Sequence, residues 1–73
     1  MSAKLLKPIN SYGYGEFSAD SVADLDDLPT TTHGGKNNLQ TIGAICQGSN
    51  VFLNDGSMAI YILNGDTDTW TLS

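Results

Sequence analysis

Two Asx-Gly pairs constrain this chain more than any other feature. Asp55-Gly56 and Asn64-Gly65 bracket the apolar run MAIYIL. Such pairs accept the positive φ angles that tight hairpin turns need. The segments beside them, NVFL (50–53), MAIYIL (58–63) and WTLS (70–73), are rich in β-branched and aromatic residues, which favour strands. An antiparallel meander is therefore expected over 39–73. LQTIGAIC (39–46) is a candidate first strand, weakened by Gly43. MAIYIL is apolar at every position, so it is placed centrally with both faces covered. Leu53, Ile60, Ile62, Trp70 and Leu72 are expected on one buried face.

Upstream the pattern changes. In SADSVADLDDLPT, Ser21 and Asp24 have capping-box spacing. Val22, Leu25 and Leu28 recur every third residue and Pro29 closes the pattern, so a short helix is expected over 20–28. Before it, NSYGYGEF reads as a Tyr/Gly-rich turn. SAKLLKPIN reads as an extended arm or edge strand, because Pro8 is unsuited to a central strand. The expected fold is mainly β: a small antiparallel meander of three to four strands, one short helical turn and an extended N-terminal arm. Residues 1–17 form the arm and turn, and 18–73 the β domain.

With 73 residues the chain lies near the size at which a core alone suffices, and such scaffolds usually add a disulfide, a metal or a partner. One cysteine, Cys46, closes no internal disulfide. One histidine, His33, and one cysteine do not make a zinc site. Oligomerisation is the remaining staple. Three Lys/Arg face eight acids, for a net charge of -5, which argues against nucleic acid and anionic membranes as partners. No apolar run approaches the ~18 residues of a spanning helix.

No catalytic, cofactor or metal site is expected. HGGK lacks the spacing and the Ser/Thr of a phosphate-binding loop. Cys46 and His33 make the one thinkable nucleophile–base pair, and a loop histidine with a buried free cysteine explains them better. Asp20, Asp24, Asp26 and Asp27 suit a helix start and a solvated face. Asp55, Asp66 and Asp68 suit turns, and no calcium-loop spacing joins them. The residues expected to bind a partner are Leu5, Leu6, Ile9, Tyr12 and Tyr14: an apolar arm, and tyrosines of the kind enriched at interfaces.

The order of LPTTTHGG, the GSN turn and YILNGDTDTW resembles a small virion module of tailed bacteriophages, of the head-fibre, decoration-like or tail-associated kind. Leu28, Pro29, Thr30, Gly35, Gly48, Ser49, Tyr61, Leu63, Gly65, Asp66 and Trp70 carry the match, which covers residues 28–73. The resemblance implies a non-enzymatic structural protein assembled into virions in the host cytoplasm, without cofactors. It implies a homo-oligomer, a trimer by preference, on capsid or tail proteins. Two other readings are a receptor- or carbohydrate-binding module, with Tyr12, Tyr14, Tyr61 or Trp70 as stacking platform, and a small protein-interaction regulator.

Overall fold

The computed structural model describes residues 2–73. Five strands form one mixed sheet in sequence order: β1 (Ala3–Leu5), β2 (Glu16–Ala19), β3 (Asn50–Leu53), β4 (Ile60–Asn64) and β5 (Thr69–Leu72). The mainly β class holds, with one strand more than expected. The meander is β3-β4-β5, paired antiparallel. Its turns sit where the Asx-Gly pairs put them. Gly56 takes φ 93°, and the Asp55 carboxylate accepts the Ser57 amide at 2.9 Å, an Asx turn.

The N-terminal half joins the same sheet. Ala3 opposes Ala19 and Leu5 opposes Phe17 in an antiparallel β1-β2 pair. The segment read as arm or edge strand is thus an edge strand over Ala3–Leu5, and Ala3 is fully buried. β2 runs through the expected boundary between residues 17 and 18. β2 and β3 are parallel, with Phe17 opposite Val51 and Ala19 opposite Leu53. Parallel neighbours need a long crossover, and residues 20–49 provide it.

That crossover covers one face of the sheet. Its first part is a 3₁₀ helix (Val22–Asp27), where a helix over 20–28 was expected. The Asp24 carboxylate accepts the Ser21 amide at 3.1 Å and the Ser21 hydroxyl at 3.2 Å, and Leu25 and Leu28 are buried. The candidate strand over 39–46 is not formed. A second 3₁₀ helix (Asn37–Leu39) leads into a segment held by isolated bonds, Ile45 N–H to the Thr30 carbonyl and Cys46 N–H to the Gly13 carbonyl.

The core lies between crossover and sheet. Phe17, Ala19, Val51, Leu53 and Leu63 point into it from the strands, and Leu25, Leu28, Leu39 and Ile45 close it. The expected buried set needs correction. Phe52 opposes Ile60 and Asn50 opposes Ile62, so both isoleucines share the face away from Leu53. They are 47% and 37% exposed. Leu63 opposes Trp70, and Tyr61 opposes Leu72. Those four share the core side, yet Leu72 lies beyond the crossover's cover and is 64% exposed. β4 is central but covered on one face only. The exposed surface is 4409 Å², close to the roughly 4,300 Å² expected for a folded monomer of this mass.

Candidate functional site

Two surfaces concentrate side chains that the fold does not consume. One is a groove of about 660 Å³ between the first 3₁₀ helix, the loop after Pro29 and the core side of β4 and β5. Tyr61 and Trp70 line it beside Val22, Leu25 and Leu28, with Asp26, His33 and Lys36 among its polar groups. Trp70 is fixed at both ends. Its indole Nε1 donates to the Pro29 carbonyl at 3.2 Å. Its ring meets Phe17 edge-on, with centroids 6.1 Å apart and planes at 83°, a favoured aromatic geometry.

The groove wall is tied down by Asp68. Its carboxylate accepts the Thr30 hydroxyl at 3.0 Å, the Thr31 amide at 2.8 Å and the Thr31 hydroxyl at 2.5 Å. The Thr32 hydroxyl bonds to it as well. Donors to a carboxylate favour its ionised form. The hydroxyl of Thr31, then that of Thr32, then that of Thr30, holds the Asp68 carboxyl well below the usual carboxylate range. Asp68 itself sits at φ 55°, a left-handed position that Asp tolerates. TTT and DTDTW, far apart in sequence, are thus one clasp.

The second surface is the open face of the sheet. Phe52, Ile60 and Ile62 stand on it in adjacent strands, with Thr71 next to Ile62. Met58 is exposed in the turn before β4. Tyr14 joins this surface: with Gln47, Gly48, Ile62 and Thr71 it lines a shallow depression of about 470 Å³. The Asn10 carboxamide oxygen accepts the Tyr12 and Tyr14 amides at 2.9 and 3.1 Å, which shapes the loop that presents the tyrosines.

The five expected partner-binding residues separate. Leu5 and Ile9 pack against the chain's own core. Leu6, Tyr12 and Tyr14 are exposed, Tyr12 by 80%. Lys7 is paired with Glu16 at 3.5 Å. Sequence reading singled out Tyr14 as a partner-binding residue but missed the position of Phe52 on the open face, opposite Ile60. The signal was the run IYIL itself, which has one more apolar face than a one-sided cover can bury.

His33 lines the groove, while the Cys46 amide bonds to Gly13, and no hydrogen bond joins His33 to Cys46. Among the described residues, no group of three or more His, Cys, Asp or Glu side chains is placed to hold a metal ion, and no helix is long and apolar enough to cross a membrane.

A search of family models gives no match, and searches of curated proteins and of solved structures give none either.

Proposed function

We propose that this chain is a non-enzymatic structural protein of a tailed-phage particle, which self-associates and attaches to capsid or tail proteins. The open sheet face carries the self-association. Phe52, Ile60 and Ile62 form an uncharged apolar strip on a chain whose net charge is -5. An apolar strip on so acidic a surface is where another molecule gains by covering it. Tyr14 at the margin adds an aromatic of the kind interfaces favour. The virion context rests on the resemblance of residues 28–73, which also implies three copies. Leu6 and Tyr12, exposed beside β1, are the contacts proposed for the larger assembly. Mass spectrometry of particles from cells carrying the encoding genome tests the location: the protein in stoichiometric amount supports it, and absence from the particles rejects it.

One observation favours a second reading, a carbohydrate-binding module. Tyr61 and Trp70 share a groove with polar groups at its margin, and sugars stack on such rings. Quenching of the single tryptophan by oligosaccharides, abolished in Tyr61→Ala, would favour it.

A further inference from the structure

The sheet has two edges, and the chain treats them differently. On β1 the register leaves the Ala3 and Leu5 backbone groups facing outward, since Asp20 N–H bonds to the Ser2 carbonyl and Leu6 N–H to the Glu16 carbonyl. The Asn38 side chain crosses that edge and donates to the Ala3 carbonyl at 2.5 Å. Lys4, Lys7 and Pro8 flank it. Charge, proline and a covering side chain are the usual ways to keep an edge from pairing.

β5 has none of them. Ser73 N–H bonds to the Ile60 carbonyl, so in the β4-β5 ladder residues 69, 71 and 73 face β4 and residues 70 and 72 face outward. Among the described residues nothing bonds to the outward amides and carbonyls of Trp70 and Leu72. The stretch Thr69, Trp70, Thr71, Leu72, Ser73 carries no charged side chain, and Leu72, opposite the groove residue Tyr61, is exposed.

We infer that β5 is a self-pairing edge, whose occupant is β5 of a second copy, antiparallel about a two-fold axis at Thr71. This rests on the self-association proposed above and names one of its contacts. The stretch complements itself in that register. Trp70 opposes the partner's Leu72, and the reverse pair repeats it, giving four backbone hydrogen bonds. The partner's leucine then lies on the groove side beside the indole, an aromatic–aliphatic cross-strand pair. Thr71 meets the partner's Thr71 on the open face. Asp68, the nearest acid, falls outside the paired stretch and is already held by Thr30, Thr31 and Thr32. The paired stretch brings no charged side chain of either copy face to face, which matters for two chains of net charge -5. Being two-fold, the contact joins assemblies in pairs, and it tightens as salt screens the net charges.

Thr71 opposes its own copy in a non-hydrogen-bonded pair, where Cα atoms lie about 4.5 Å apart, within disulfide range. The test is Thr71→Cys in a Cys46→Ser background, oxidised with diamide and read on a non-reducing gel. Thr69→Cys is the control, since two copies of residue 69 are offset by about 13 Å along the paired strands. Near-complete crosslinking at 71 with little at 69, abolished when Leu72→Lys is added, supports the pairing. Equal crosslinking at both positions, or none at 71, overturns it. If the wild type still associates by light scattering in that case, self-association stands and only the edge contact falls. A wild type that is monomeric at high micromolar concentration, with no crosslinking at 71, overturns both.

Discussion

One oxygen of the Asp68 carboxylate holds Thr31 twice, by its amide at 2.8 Å and by its hydroxyl at 2.5 Å. The bonds join the turn before β5 to the loop after Pro29. They close one end of the groove and keep Trp70 against the Pro29 carbonyl.

Asp68→Asn should therefore lower the melting temperature at neutral pH, and the deficit should depend on pH in a defined sense. The folded-state carboxyl lies below its ordinary value of 3.8. A depressed carboxyl stabilises the fold above the unfolded value, and that contribution fades as pH falls toward the folded one. The gap in melting temperature between wild type and variant should be constant above about pH 5 and shrink below about pH 4. A gap independent of pH would mean that the charge of Asp68 does not matter to the clasp.

Burial ranks the aromatics. Phe17 is fully buried at the centre of the core, while Trp70 is half-buried at its margin. Phe17→Ala should cost about 3–5 kcal/mol, enough to leave so small a domain unfolded. Trp70→Ala should cost less and leave a measurable thermal transition by circular dichroism. The reverse order would place the core nearer β5 than β2.

Much of the C-terminal sheet was legible because its cues are local. NVFL lies between turn signals, and β3 is Asn50–Leu53, where period two put it. The misplaced parts depended on distant partners. β2 reads EFSA, too short and polar to announce a strand, and it forms because Val51 and Leu53 pair beside it. In MAIYIL every position is apolar, so alternation cannot say which parity faces inward. The crossover decides it by covering Leu63 and leaving Ile60 and Ile62 open. Leu39, Ile42 and Ile45 recur every third residue, a spacing foreign to a strand, and that pattern was the available warning against one over 39–46. Asp68 looked like Asp55, because a turn aspartate and a long-range clasp are alike until Thr30, Thr31 and Thr32 are brought near.

The aspartates also bear on metals. Asp55 is engaged by Ser57, through its amide and its hydroxyl, and Asp68 by three threonines. Melting in excess EDTA and in excess calcium should give the same midpoint. A difference of many degrees would show that these carboxylates bind an ion in solution.

Deleting residues 1–10 would remove β1 and uncover Phe17 and Ala19, so it cannot isolate an attachment role. Leu6→Ser with Tyr12→Ser is the better variant. Both side chains are exposed, and surface changes away from structural features usually stay within about 0.5 kcal/mol. The doubly substituted protein should fold as the wild type does and decorate particles poorly. Full occupancy on the particles would exclude both residues as contacts.

Sedimentation equilibrium of the wild type against Ile60→Lys/Ile62→Lys bears most directly on self-association through the open face. Both side chains lie outside the core, so the variant should still fold and keep a cooperative thermal transition, at a lower midpoint than the associated wild type. The two lysines change the net charge from -5 to -3 (-5 plus 2), which by itself reduces repulsion between copies. The wild type should sediment as a higher oligomer at high micromolar concentration, and the variant as no more than the β5-paired dimer, two chains of 7.7 kDa each. A monomeric wild type, or a variant that associates as strongly as the wild type, would contradict assembly through Phe52, Ile60 and Ile62.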